Sequence, residues 1–549
     1  MSRIRTLTRI APDGWTLAAG LIAALILAPL VSVVWIAFHP TENAWGHLIA
    51  TVLPRYLGMT AVLVAGVGLL TAVFGTGTAW LVSMYDFPGR RAMVALLLFP
   101  LAVPAYVGAY ALVDFLDYSG ALQVGLRAAF GWENARDYWF PEIRSPGAAI
   151  IVLAAALNPY VYLLARAAFR EQSGCAYEVA RALGAGPWGM FWRVGLPLAR
   201  PAVAAGVALA AMETVADFGT VTHFGVQTLT TGIFTEWQVV GNAGGAAQIA
   251  GVALALVLAL VAIERRGRRN ARHFRLSRAA RPIHRQPLRG GRGLAALLVC
   301  LLPVAMGFVL PVVVMLSHAL TKPEAWVEPG LIRALGNTLT VGGTAAGLTV
   351  IAAVALVYGL RLAGGEGTAR ALMPVTGIGY AMPGAVLALG LLMPLAALDH
   401  RLADAVLAVT GHDPGLLLTG SAAALVIAYA LRFFGVAQGA VDTAFGRISP
   451  NLPLAARSLG RGRSATLRAV HLPLMRGSVA AALLVVFVDC VKELPATLLL
   501  RPFNFDTLAT RTYELASREA MAEAAPAALL VMAVGLAAVL LLARNQRDG

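Results

Sequence analysis

Lysine is nearly missing from this chain: of 43 lysine and arginine residues, only Lys322 and Lys492 are lysine. A loop that cradles nucleotide phosphates, G-x-x-x-x-G-K-[ST], needs a lysine at its end. Neither ALTKPEAW nor DCVKELPA supplies that context, so the chain is expected to be no enzyme and to bind no cofactor of its own. Cys175, Cys300 and Cys490 are too few and too scattered for a disulfide framework or a metal cluster. The histidines are equally dispersed, and no fixed metal site is expected. Charged residues make up 13% of the sequence, too little for an ordinary soluble domain of 549 residues.

What fills the space is hydrophobic: 59% of residues, with a mean hydropathy of +0.74. A helix needs about 20 apolar residues to cross about 30 Å of hydrocarbon. Twelve such runs are legible, at 14–38, 59–84, 92–116, 148–169, 202–218 and 246–263, then 294–315, 337–360, 371–398, 421–436, 479–500 and 525–543. Arg3, Arg5 and Arg9, Arg90 and Arg91, and Arg544 and Arg547 fall on one side of this even count, which makes that side, and both termini, cytoplasmic. The loop from Asp117 mixes Arg127, Arg136 and Arg144 with Glu133, Asp137 and Glu142, as an outward loop does. The first run is too long for a signal-peptide core and no clear cleavage site follows, so it is expected to stay as a span.

Much of the net charge of +15 sits in ERRGRRNARHFRLSRAARPIHRQPLRGGRG, residues 264–293. With hydrophobic halves on either side and no folded module around it, this run reads as a cytoplasmic tether that also favours anionic lipid headgroups, not as a nucleic-acid site.

The two halves repeat. EVARALGAGPWGMFWRVGLP, Glu178 to Pro197, pairs with LAARSLGRGRSATLRAVHLP, Leu454 to Pro473, at a spacing of 276 residues that sets Gly184 on Gly460 and Pro197 on Pro473. YLGMT answers ALGNT, Pro104 answers Pro383, and FGVQTLTTGIF answers FNFDTLATRTY. The chain divides into a first membrane unit (1–263), the basic linker (264–293) and a second unit (294–549), with the duplicated loops at 178–197 and 454–473. A short helix closed by glycine and then proline makes a rigid knob, able to dock in a groove and transmit force.

This loop resembles the EAA loop of binding-protein-dependent ABC importer permeases. The matching residues are Glu178, Val179, Ala180, Gly184, Leu196 and Pro197, and again Leu454, Ala455, Ala456, Gly460, Leu472 and Pro473. The resemblance implies an all-α membrane protein of the type I importer, MetI-like fold, with about 12 transmembrane helices in two homologous six-helix halves. It also implies two copies of an ABC ATPase subunit, one per knob, with ATP-Mg held by that partner, and coupling contacts at Glu178, Ala180, Gly184, Pro197, Ala456, Gly460 and Pro473. Leu454 departs from the usual glutamate, so the two docking contacts are expected to differ.

A narrower resemblance concerns cargo. METVADFGTVTHFGVQTLTTGIFTEW and FVDCVKELPATLLLRPFNFDTLATRTYELASREAMAEAAPAALLVM are similar to the ferric iron permeases. That implies ferric iron delivered by an extracytoplasmic ferric-binding protein, in a bacterial plasma (inner) membrane. Permeases for thiamine, phosphonates, spermidine and putrescine share the architecture, and thiamine or another small solute is the alternative cargo. A secondary transporter also uses repeats, but it needs no matched cytoplasmic knobs.

Read from the residues, Glu213 and Asp217 are four apart on one helical face, and Asp489 and Glu493 repeat them in the second half. A charge at mid-membrane costs about 2.5–3.5 kcal/mol on insertion scales, so these acids should face the bundle interior or a water-filled cavity. Carboxylates suit a hard cation, and a conducting route binds too loosely for a closed shell. The other reading is that Lys492 neutralises Asp489 or Glu493 and that all five residues serve packing. Pro104 and Pro383 should interrupt their spans, by kinking alone or to open a cavity. Arg432 reads as a snorkelling side chain. Asn158 sits at roughly the equivalent place in the first half, and neither is taken as a site residue.

Overall fold

The computed structural model describes residues 14–40, 42–269, 285–362 and 372–545. The first half contributes α1 (Gly14–Phe38), α2 (Leu53–Met84), α3 (Ala105–Leu116), α4 (Pro146–Glu171), α5 (Gly174–Ala182), α6 (Leu196–Ala216), α7 (Gly219–His223) and α8 (Ala243–Arg269). The second contributes α9 (Gly291–Thr321), α10 (Pro329–Leu362), α11 (Gly384–Thr410), α12 (Ala423–Arg432), α13 (Phe434–Gly446), α14 (Asn451–Ser458), α15 (Leu472–Lys492), α16 (Pro495–Leu500) and α17 (Met521–Asn545). Among the described residues the only strands are the two-residue segments Tyr85–Asp86 and Gln286–Pro287, which pair in parallel. They tie the far end of the linker to the end of α2. Residues 270–284 of the linker lie outside the described residues, as do Arg3, Arg5, Arg9 and Arg547.

Ten described helices are long and apolar enough to span a membrane, or twelve if each of two bent pairs is one span. The bends are 94° between Arg90–Ala102 and Ala105–Phe130, and 50° between Ala423–Arg432 and Phe434–Gly446. Pro104 and Pro383 interrupt their spans as expected: each is the extended residue immediately before a helix, with ψ of 139° and 140°. The fifth and eleventh spans differ from expectation. They begin earlier, at Pro187 and Arg463, and pass through π turns at Phe191–Gly195 and Leu467–His471. Pro197 and Pro473 follow those turns instead of closing the knobs. A proline in a continuing helix leaves an earlier carbonyl without its N–H partner, and the wider turn absorbs the mismatch.

The repeat is exact at the level of caps. The short helices Leu229–Phe234 and Leu508–Ser517 each start with a threonine capping box, Thr228 with Thr231 and Thr507 with Thr510. Their first N–H groups donate to Thr60 Oγ1 (3.2 Å) and Thr338 Oγ1 (2.8 Å).

The first helix of each half is exchanged. α1 packs on α10 and α11 of the second half as well as on α8, while α9 packs on α3 and α17. Missing side chains permit this: a Cβ on Gly359 or Gly390 would strike the Trp15 or Pro29 carbonyl of α1, and one on Gly307 would lie 2.9 Å from the Ala155 carbonyl. Without a strong hydrophobic drive between helices in lipid, such close backbone approach is what holds them together. The largest core cluster therefore mixes α1 and α8 with α10, α11 and α12, and the two sequence halves share one core.

Candidate functional site

Each duplicated loop forms a short helix stopped by a glycine. In the first, the Ser173 side chain accepts the Cys175 N–H at 3.4 Å and opens α5. Gly184 (φ 82°) and Gly460 (φ 79°) end α5 and α14 in the left-handed region, where a Cβ is strained. Ala180 packs inward and Ala456 is buried, whereas Glu178 and its counterpart Leu454 face outward. Leu183 and Leu459, just before the glycines, are 82% and 81% exposed. Each knob thus presents a large apolar side chain with nothing from this chain to cover it.

The knobs are seated on aromatic residues, of which Trp80 and Tyr358, and Phe169 and Phe445, occupy matching places in the repeat. Under the first, Trp80 meets Phe169 at 5.2 Å and Phe191 at 5.3 Å between ring centroids. Gly195 leaves room for the indole, since a Cβ there would collide with it. The Tyr177 hydroxyl donates to Gln172, whose amide donates to the Gly195 carbonyl at 3.1 Å. Burial pushes the Tyr177 phenol up from its ordinary value, so it stays a neutral donor. Under the second knob stand Tyr358, Phe445 and His471, with Phe445 and His471 4.9 Å apart, and the Tyr358 hydroxyl donates to the Arg463 carbonyl at 2.7 Å.

The interrupted helices surround a cavity of about 310 Å³ that both halves line. Glu213, Asp217, Asp489 and Glu493 all reach its wall, together with Arg432 and Lys492. The expectation that each acid pair shares a helical face needs correction. α6 ends at Ala216 and α15 at Lys492, so Asp217 and Glu493 are extended cap residues at the breaks. There they start the next short helix. Asp217 accepts from the Thr220 hydroxyl (2.9 Å) and the Val221 N–H (3.0 Å), and Glu493 accepts the Ala496 N–H (3.0 Å). Glu213 and Asp489 remain within their helices, and neither forms an ion pair among the described residues. The Tyr380 hydroxyl lies beside Glu213.

Arg432 does not snorkel. It ends α12 at the 50° bend, is buried, and pairs with Glu493 at 2.5 Å. Both groups press on Gly384, where a Cβ would meet them, so three helix interruptions of the second half converge on one ion pair. An arginine opposite an acid at a helix break was the available signal; hydropathy alone does not show the bend. Lys492 directs its ammonium to the Leu101 carbonyl of the first half, not to a neighbouring carboxylate. Asn158 is buried in α4, with neither amide atom bonded to another protein group. Among the described residues, no three His, Cys, Asp or Glu side chains gather as a metal-holding group, and the acids are distributed round the cavity wall.

Ten to twelve candidate spans, two matched short-helix knobs and a cavity lined from both halves at the helix breaks make up the described architecture. Residues 65–265 match the family described as binding-protein-dependent transport system inner membrane component. It is 25% identical over 485 residues to the Fe(3+)-transport system permease protein FbpB 2 of Haemophilus influenzae, covering 87% of each chain. Shorter similarities are 29% over 204 residues to the molybdenum transport system permease protein ModB of Escherichia coli (35% of this chain, 82% of that one), and 25% over 223 residues to the sulfate transport system permease protein CysT of the same species (39% and 75%).

Proposed function

We propose that this chain is the complete membrane pathway of a ferric iron importer in a bacterial inner membrane. An extracytoplasmic ferric-binding protein delivers the ion, and two ATPase subunits, which hold the ATP-Mg, dock on the knobs at α5 and α14. Leu183 and Leu459 are the apolar plugs of those docking contacts, with Glu178 and Leu454 making them unequal. ATP-driven approach of the two subunits moves the knobs together and opens the cavity outward; hydrolysis resets it. Because the helices that follow the knob glycines, from Pro187 and Arg463, run through the π turns into α6 and α15, whose ends carry Asp217 and Glu493, a knob displacement is passed to the cavity along them. Both termini lie on the knob side in this reading.

The observation that carries the iron reading is similarity over 87% of a ferric permease, joined to a cavity in which four carboxylates outnumber two bases. A second reading, an oxyanion such as molybdate or sulfate, is favoured by Arg432 and Lys492 in the same wall and by the shorter relatives. Uptake of radioactive iron, molybdate, sulfate and thiamine by cells with and without this chain separates them. Loss of iron uptake alone supports the ferric reading, and loss of either oxyanion or of thiamine replaces it.

A further inference from the structure

The first half contains a line of polar groups that the second half lacks. On α3, Tyr106, Tyr110 and Asp114 recur every four residues and so share one face. Tyr106 lines the central cavity beside Asp217. Tyr110 follows it, ring centroids 5.9 Å apart, and the His223 ring lies 4.6 Å beyond Tyr110. Arg144 stands in the loop before α4. Arg144 also lines a second cavity of about 490 Å³, with Val113 and Asp117 from the outer end of α3. α3 therefore has the central cavity at its start, by Tyr106, and the second cavity at its end, with Tyr110 between them.

Asp114 is held by His318 of α9 at 2.9 Å, but the polar atoms between it and the central cavity have no such partner. The Tyr106 and Tyr110 hydroxyls and His223 Nε2 are buried with no hydrogen-bond partner from the protein. Each such group costs about 1–3 kcal/mol if it stays unbonded, and a phenylalanine or leucine would fill the same volume. The second half has no polar group at these places: Ala385, Leu389 and Met393 stand on α11 where Tyr106, Tyr110 and Asp114 stand on α3, counting from Pro383 as from Pro104. Ala385 and Leu389 are buried in the core against α1 and its neighbours. The Arg432–Glu493 ion pair also braces the corner below them, whereas Asp217 has no cation among the described residues.

We propose that Tyr106, Tyr110 and His223 form a one-sided inlet, through which a small oxygen-seeking cation and its water pass from the outer cavity to the central one during the transport cycle. Phenol and carboxylate oxygens are the donors such an ion accepts, and passage supplies the partners these groups lack. The cation part rests on the ferric reading above; the one-sidedness does not.

Two measurements test it on the transporter assembled with its ATPase subunits. First, Tyr110→Cys and Leu389→Cys are exposed to a membrane-impermeant thiol reagent from the side opposite the knobs during ATP turnover, with Asp117→Cys as the reactive reference. The inlet predicts that Tyr110→Cys labels within about tenfold of the reference rate and Leu389→Cys at least about tenfold slower than Tyr110→Cys, a contrast set by water access. Equal labelling of the two, or none at Tyr110→Cys, overturns the proposal. Second, Tyr110→Phe should lower uptake of binding-protein-delivered ferric iron about tenfold, the weight of one lost polar contact, while its melting temperature stays level or rises. Unchanged uptake, or a fall in melting temperature that accounts for the loss, counts against it. If the unmodified chain moves no iron, the ferric reading fails while the labelling contrast still decides the inlet.

Discussion

At the break after α6, Asp217 caps the short helix that follows it and meets no cation among the described residues. At the same break after α15, Glu493 does the same capping and is also held by Arg432 against Gly384. At the spacing of 276 Arg432 falls on Ala156, two residues from Asn158, and counting from the span-breaking prolines Gly384 falls on Ala105. One repeat thus has a clamped corner and the other an open one, at breaks that match in the two halves. Duplication supplied the frame, and a few substitutions gave the two sides different work: bracing in the second half, polar lining in the first.

The largest expected effect comes from breaking the clamp. Arg432→Met leaves Glu493 buried beside no base, which costs about 3–5 kcal/mol. Folded yield and melting temperature should fall sharply, and Glu493→Gln added to it should recover most of the loss. Next come the knob glycines. Gly184→Ala and Gly460→Ala each force a side chain into the left-handed region at about 1–2 kcal/mol, and because their φ angles agree within a few degrees, both should weaken coupling of ATP hydrolysis to uptake equally. A difference between them would trace to the unequal Glu178 and Leu454 contacts, since the glycine φ angles match.

Smaller again is Asp217→Asn. With no ion pair to lose, it should cost only about 0.5–1 kcal/mol in stability, part of a cap contribution, far below Arg432→Met; a comparable loss would erase the contrast between the corners. Smallest is the exchange Glu178→Leu with Leu454→Glu. Exposed charge contacts are worth about 0–1 kcal/mol, so ATPase affinity should shift only a few-fold per knob, read by titrating the subunits onto the detergent-purified chain.

The spans were legible because twenty apolar residues have few other uses, and the repeat was legible because glycines and prolines mark backbone geometry directly. Gly184 and Gly460 are left-handed, and Pro104 and Pro383 stand at breaks. What the sequence concealed has a common cause: hydropathy records how greasy a residue is, not what faces it. The exchange of α1 and α9 depends on Gly359, Gly390 and Gly307 meeting carbonyls far away in the chain. Asp217 and Glu493 keep helical spacing from Glu213 and Asp489 but lie just past the helix ends. Arg432 reads like any arginine near a span end until the bend turns it inward. Tyr106 and Tyr110 pass for apolar residues because tyrosine is apolar over most of its surface.

The central claim is that one copy of this chain offers two separate docking knobs on a single shared core. Native mass spectrometry of the complex purified from its own membrane tests it most directly. The account predicts one copy of this chain with two nucleotide-hydrolysing subunits, falling to one when either 178–184 or 454–460 is replaced by a glycine-serine loop. Two copies of the chain per complex, or no such subunit at all, would contradict it.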